Sequence, residues 1–174
     1  MKRGDKRGQF YLVAAIIISV IVIGFVSMSN YSRRQETTNI QNVGRELSIE
    51  SEKVLDYATY GGHDEKQTMK NFTERYITYL GADKDSYFLF GNTAQITVVG
   101  YAQSDKTIYV NTSSGQTPVD LNKGQISSQD FNPPPNNVTL TIDGEDYEFG
   151  LKSGENFYFI MFEETGGEKH VIRN

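Results

Sequence analysis

A run of nineteen residues without a charged side chain, from Phe10 to Met28, constrains this chain more than any other feature of its sequence. As a helix the run would extend about 28 Å, close to the ~30 Å thickness of the hydrocarbon core of a bilayer. Uncharged runs of this length are uncommon in the buried helices of globular domains. We therefore predict a transmembrane or anchor helix over residues 10–29, with the lipid bilayer as its partner.

Charge is distributed unevenly on the two sides of this run. Residues 1–29 carry a net charge of +3, so the remaining 145 residues carry −8 for a chain total of −5. Because a short basic flank favours the cytoplasmic side, we predict a cytoplasmic leader over residues 1–9 and an extracytoplasmic domain over residues 30–174 of a single-pass protein of the cell membrane. The acidic body argues against a nucleic-acid partner, which would need a basic face to displace counterions from phosphates.

Three fates of the amino terminus are open. A signal peptidase would accept the small side chains at Ser27-Met28-Ser29, although the apolar run is longer than the usual 7–15 residues of a signal peptide. The segment would otherwise stay as an uncleaved anchor. The third fate is processing at Lys6-Arg7-Gly8-Gln9, which directly precedes the apolar run.

This last arrangement, over residues 1–30, resembles the class III signal sequence of archaeal type IV pilin-like proteins. In that family a prepilin-type peptidase cuts after the glycine and leaves the apolar helix on the mature protein. The resemblance implies a processing site formed by Lys6, Arg7, Gly8 and Gln9, with the apolar helix packed in the core of a filament and the sheet facing outward. The fifth mature position, where many pilins carry glutamate, is Val13 here.

The next part of the sequence predicts a helical hairpin. An apolar stripe predicts an amphipathic helix that ends at Gly61-Gly62 and covers the core of the domain itself. Asp64 and Gln67 form a capping-box pattern for a second helix, which Gly81 ends. The apolar positions of the first helix are Ile40, Val43, Leu47, Val54 and Ala58, and those of the second are Met69, Phe72, Tyr76, Tyr79 and Leu80.

From Ser86 onward the periodicity is two and β-branched and aromatic residues dominate, which predicts strands. Asp143-Gly144 predicts a tight hairpin turn, and Phe157–Phe162 predicts a strand covered on both faces. Residues from Thr112 to Asn137, with the Pro133-Pro134-Pro135 run, predict a loose connection. The strand candidates are Ser86–Phe90, Ala94–Ala102, Thr107–Asn111, Val138–Ile142, Tyr147–Leu151, Phe157–Phe162 and His170–Arg173. The predicted fold class is α+β: an N-terminal transmembrane helix, a helical hairpin and an antiparallel β-sheet with a meander at the C-terminal end, either closed into a sandwich or backed by the helices.

The sequence offers little chemistry. It has no cysteine, which excludes disulfides, thiolate metal sites and a cysteine nucleophile. His63-Asp64-Glu65 are consecutive and lack metal-ligand spacing, and the acidic hairpin around Asp143 does not match a calcium loop. We predict no catalytic residue, metal or cofactor. Four Asn-x-Ser/Thr sequons are candidate N-glycosylation sites: Asn30, Asn71, Asn111 and Asn137.

These observations favour a non-enzymatic structural or interaction role. The leading hypothesis is a pilin-like subunit, or an accessory component of a cell-surface assembly, with self-assembly or other surface subunits as partners. The alternative is an uncleaved, anchored binding domain that stays monomeric. A membrane-tethered hydrolase is the third hypothesis, and no residue constellation supports it.

Overall fold

The computed structural model describes residues 6–81, 83–132, 137–165 and 168–174, and within these it leaves out the side chains of residues 6–10, 13–14, 27–40, 165 and 168. The chain divides into two compact units, residues 1–39 and residues 40–174. Two helices and nine strands lie in the described residues. They are α1 (Lys6–Gly61), α2 (Glu65–Leu80), β1 (Lys84–Gly91), β2 (Ile96–Tyr101), β3 (Lys106–Thr112), β4 (Gly115–Leu121), β5 (Ile126–Phe131), β6 (Asn137–Ile142), β7 (Glu145–Gly150), β8 (Asn156–Thr165) and β9 (Glu168–Arg173).

The predicted membrane-spanning helix of residues 10–29 is wrong. In the described part of the chain, no helix combines the length and the apolar character needed to cross a bilayer. These residues belong to α1, which continues without a break to Gly61. The structure therefore does not support the membrane and transmembrane assignment.

The strands form two antiparallel sheets, whereas the sequence predicted an antiparallel β-sheet with a C-terminal meander and left open whether it closes into a sandwich. The central sheet has the order β5-β2-β1-β8-β9, and the outer sheet has the order β4-β3-β6-β7. The predicted hairpin of β6 and β7 is present, with Asp143 and Gly144 at φ values of 53° and 83° in the turn. The chain then crosses to the other sheet between β7 and β8, which breaks the meander.

Strands β4 and β5 lie in the stretch from Thr112 to Asn137 that was predicted to be a loose connection. Both are edge strands, each paired with one neighbour. Pro118 is tolerated on β4 because an edge strand leaves one side of its backbone unpaired. The Pro133-Pro134-Pro135 run lies outside the described residues.

The central sheet has apolar side chains on both faces. From β1, Tyr87 and Leu89 pack against the outer sheet, whereas Phe88 and Phe90 pack against residues of α1 and α2. Strand β8 alternates in the same way, with Ile160 towards the outer sheet. The prediction that Phe157–Phe162 is covered on both faces is therefore confirmed. Residues 40–174 form three layers: helices, central sheet and outer sheet.

Two local features define the helical layer: the N-cap where α2 begins, and a glycine where α1 approaches the central sheet closely. The Asp64 side chain accepts a 2.9 Å hydrogen bond from the amide of Gln67, which confirms the predicted N-cap of α2. On α1, a Cβ atom at Gly44 would lie 2.9 Å from Cγ2 of Ile172 on β9 and 3.6 Å from the ring of Phe159 on β8. A glycine at this position thus lets α1 lie close to the central sheet.

Candidate functional site

The first candidate site is an apolar segment of α1, residues 11–26. Eleven large apolar or aromatic side chains in it are exposed, with 51–73% of their surface accessible. Because successive residues of an α-helix point about 100° apart, exposed Ile16, Ile17 and Ile18 cover different faces. A helix that is apolar on all faces is normally buried. The segment therefore exposes apolar side chains on several faces of the helix, which makes it a candidate interaction surface.

The second candidate site is a groove between α1 and α2, here named the helix groove. It consists of two adjoining hollows of about 530 and 270 Å³ that share Phe72 and Arg75. The α1 residues that line the groove lie three or four positions apart on one side of the helix, and the α2 residues come from successive turns of that helix. The lining side chains used below are Glu46, Glu50, Val54 and Tyr57 on α1, and Phe72, Arg75, Tyr76 and Tyr79 on α2.

Aromatic rings follow the helix groove along its length. The ring centroids of Phe72 and Tyr76 are 5.7 Å apart, and those of Tyr76 and Tyr79 are 5.6 Å apart. At the other end, Tyr57 stacks on His63 with centroids 4.8 Å apart. Tyr57 and Tyr79 are 63% and 67% exposed, so the groove presents large aromatic surfaces to solvent.

The end of the groove near Tyr79 is acidic. Burial raises the pKa of the Tyr76 hydroxyl, and the nearby charges of Glu46 and Glu50 raise it further. These two carboxylates lie one turn apart on α1. The helix groove therefore combines an aromatic lining with two carboxylates at this end, against Asp64 at the other end and Arg75 where the two hollows meet.

A third site, the acidic cleft, lies where the helices meet the turns of the central sheet. Its hollow of about 220 Å³ is lined by Glu65, Asn92 and Glu155, among others. Glu155 accepts a 2.8 Å hydrogen bond from the Asn92 side chain. Burial raises the pKa of Glu155, and the neighbouring Glu65 carboxyl raises it further against the effect of Asn92. Glu65 itself accepts a 2.8 Å hydrogen bond from Thr59 on α1. Two adjacent carboxyl groups, Glu65 and Glu155, thus link α1, α2, the turn after β1 and the turn before β8.

A charge cluster lies near the ends of strands from both sheets. Lys106 is 2.7 Å from Asp85 and 3.4 Å from Asp143, and Lys169 is 2.8 Å from Asp143. Burial lowers the pKa of Lys106, but the hydrogen bond and charge of Asp85, together with Asp143, outweigh it, so the pKa is raised. Each acid is matched by a base, which is typical of a structural cluster.

The acidic residues that lack metal-ligand spacing in the sequence have structural roles in the fold. Asp64 caps α2, and Asp143 pairs with two lysines. Across the described ranges, no group of three or more histidine, aspartate or glutamate side chains is placed to hold a metal ion.

The four predicted glycosylation residues lie on four different elements, and the predicted processing residues share α1 with one of them. Helix α1 begins with Lys6, Arg7, Gly8 and Gln9, and Asn30 lies further along it. The structure does not describe the side chains at these positions. Asn71 is exposed on α2 and accepts a 2.9 Å hydrogen bond from Gln67. Asn111 is half-buried on β3 and donates to Thr141, and Asn137 is exposed at the start of β6.

The helix groove was missed at the level of sequence. Tyr79 was placed on the apolar face of α2, whereas the structure buries Met69, Thr73, Tyr76 and Ile77 and leaves Tyr79 exposed. The signal that would have indicated the groove is the run of aromatic residues at Phe72, Tyr76 and Tyr79, which is wider than one buried stripe needs. Comparisons of the chain with protein-family models, with curated proteins and with solved structures find no significant match.

Proposed function

We propose that this chain is a pilin-like structural subunit that assembles with copies of itself through the apolar segment of α1. The observation that carries the proposal is the exposure of apolar side chains on every face of the segment. Water-exposed apolar surface of this extent marks an interaction site. The resemblance of Lys6-Arg7-Gly8-Gln9 to a prepilin processing site supports the same function.

The size of the segment favours an assembly of several copies over a pair. Complete burial of a large apolar side chain contributes about 1.5–3 kcal/mol. Because each side chain is already partly covered by its own helix, packing against neighbours adds roughly 1 kcal/mol per residue. Eleven such side chains give about 10 kcal/mol, comparable with the roughly 4–15 kcal/mol that association costs. A single neighbour covers one face only, so each segment needs several neighbours to overcome that cost.

An assembly assay with two matched variants tests this function. Ile21→Asp changes a residue of the apolar segment that is 51% exposed, and Ile49→Asp changes one on the same helix outside the segment that is 48% exposed. We expect the wild-type chain and Ile49→Asp to sediment as large assemblies visible by electron microscopy, and Ile21→Asp to stay monomeric. If wild-type protein is monomeric at all concentrations, the proposal is wrong and a monomeric binding protein is the better description.

Processing has a separate readout. Intact-mass measurement of protein from its native cells should give a chain that begins at Gln9, and Gly8→Leu should prevent that cleavage. A chain that begins at Met1 would contradict the hypothesis that the protein is processed as a prepilin. A chain that begins near Asn30 would lack the apolar segment and would contradict the assembly proposal as well.

A further inference from the structure

The helix groove has the properties of a surface that receives a helix. It lies between two helices, aromatic rings line it along its length, and its carboxylates lie towards the two ends, with Arg75 where the two hollows meet. Amphipathic and apolar helices bind in grooves of this kind through residues three and four positions apart. Within the described residues, no side chain outside α1, α2 and the turn between them lines either hollow.

We propose that the helix groove of one copy receives the apolar segment of α1 from a second copy. This inference rests on the proposed function, since it requires self-assembly, and it names the surface that the segment meets. A segment that is apolar on every face has faces left for other segments when one face lies in a groove. Groove contact and segment-to-segment contact are therefore compatible.

Length and charge define the register. Glu46 and Tyr57 are eleven residues apart on α1, and so are Leu12 and Ile23 in the segment, so both span about 17 Å. The acidic end of the groove, at Glu46 and Glu50, attracts the basic end of the segment. That positive charge comes from Lys6 and Arg7, or from the new α-amino group of Gln9 if the chain is cut after Gly8. The incoming segment consequently runs parallel to α1, with Leu12 at the Tyr79 end and Ile23 at the Tyr57 end.

Disulfide trapping tests this register, because the chain has no cysteine of its own. One full-length copy carries a cysteine in the segment and the other carries a cysteine in the groove, and the two are mixed and oxidised. A disulfide requires Cα atoms no more than about 7 Å apart. We expect cross-linked dimers from Leu12→Cys with Tyr79→Cys and from Ile23→Cys with Tyr57→Cys. The exchanged pairs, Leu12→Cys with Tyr57→Cys and Ile23→Cys with Tyr79→Cys, should not cross-link.

The outcomes separate this inference from the proposed function. Cross-links from Ile23→Cys to Ile23→Cys without any link to the groove would overturn the groove proposal and leave self-assembly standing. Cross-links only from the exchanged pairs would overturn the parallel register on which the proposal rests. The absence of every intermolecular link, together with monomeric sedimentation, would overturn both proposals.

A second measurement does not depend on cysteine variants. Replacing both exposed groove tyrosines, in Tyr57→Lys/Tyr79→Lys, should raise the concentration at which assembly begins by about tenfold or more, since aromatic anchors dominate interface energies. The matched control is Tyr60→Lys, on the same helix, outside the groove and 88% exposed, which should leave assembly unchanged. Equal effects of the groove and control variants would overturn the proposal.

Discussion

The phenolic hydroxyl of Tyr76 on α2 donates a 3.1 Å hydrogen bond to the main-chain carbonyl of Val43 on α1. The bond joins the two helices beneath the helix groove. Because burial and the nearby Glu46 raise the pKa of Tyr76, the hydroxyl keeps its proton well above neutral pH. The helix pair is therefore held by a polar contact in addition to apolar packing.

Replacing this hydroxyl measures its contribution. Tyr76→Phe keeps the ring and loses the hydrogen bond, so we expect the free energy of unfolding to fall by about 1 kcal/mol. Tyr79→Phe, which removes a hydroxyl from an exposed residue of the same helix, should have almost no effect. Urea unfolding at neutral pH compares the two, and equal losses would show that the bond to Val43 contributes nothing.

Gly44 and Gly24 provide a second comparison on α1. Alanine in place of glycine normally stabilises a helix by about 0.5–1 kcal/mol. At Gly24 nothing lies within 4 Å of the new Cβ atom, whereas at Gly44 it would meet Ile172 at 2.9 Å. We expect Gly24→Ala to be neutral or stabilising and Gly44→Ala to lower the unfolding temperature, because helix and sheet must move apart. A thermal melt in which Gly44→Ala is as stable as wild type would show that Ile172 yields without cost.

A largely buried ion pair and an exposed ion pair should differ in how much their removal lowers the free energy of unfolding. Lys106 and Asp85 have side chains that are 17% and 13% exposed, whereas Lys66 and Asp130 are 42% and 43% exposed. Lys106→Met leaves the largely buried Asp85 without its ion-pair partner. We expect the free energy of unfolding to fall by about 2–3 kcal/mol, near the lower end of the loss for buried pairs. Lys66→Met should cost about 0–1 kcal/mol, as exposed pairs do. Chemical denaturation in low and high salt checks both, and a loss for Lys66→Met as large as that for Lys106→Met would contradict the argument.

Features that depend on residues close together in the sequence were predicted correctly. The cap at Asp64 and the turn at Asp143-Gly144 depend on neighbouring residues, and both are where the sequence predicted them. Strands β4 and β5 were missed because edge strands bury few side chains, and in β5 only Phe131 is fully buried. Their residues alternate weakly, and Pro118 is a residue that usually argues against a strand.

Long-range features were harder to predict from the sequence. The charge-free run beginning at Phe10 has the composition of an anchor, but composition does not show that the helix continues to Gly61. The crossing between β7 and β8 changes sheets over a five-residue connection, and short connections usually join neighbours in one sheet. The helix groove depends on which side of α2 meets the sheet, and a choice between Tyr79 and Leu80 requires the tertiary contact.

Glu155 gives the fold a dependence on pH. Its side chain lies in the acidic cleft beside Glu65, hydrogen-bonded to Asn92. Other charged groups lining this cleft and the adjoining hollow are Glu52 and Asp56 on α1, Lys66 on α2 and Asp64 at the N-cap of α2. Burial, followed by the effect of Glu65, raises the pKa of Glu155 above its ordinary value of 4.5. The folded chain therefore holds this proton more tightly than the unfolded chain does.

The sign of the resulting effect is fixed by linkage. Where the folded state binds more protons than the unfolded state, stability falls as pH rises. The contribution of Glu155 is thus most favourable below pH 4.5, and it is lost as pH rises through the raised pKa of the folded state. Glu155→Gln keeps an oxygen that accepts from Asn92 and removes the titration. We expect this variant to be more stable than wild type at pH 7, with the difference shrinking to zero near pH 4.

Urea unfolding at a series of pH values between 4 and 8 measures the difference directly. Glu148→Gln, which removes the same charge from an exposed position on β7, is the matched control, because it changes the net charge equally without touching the cleft. A stabilisation that appears in both variants would come from the net charge of −5 and not from the cleft. A Glu155→Gln variant that is less stable than wild type at pH 7 would show that the carboxylate is held by favourable contacts. In that case the hydrogen bond from Asn92 outweighs burial and the repulsion from Glu65.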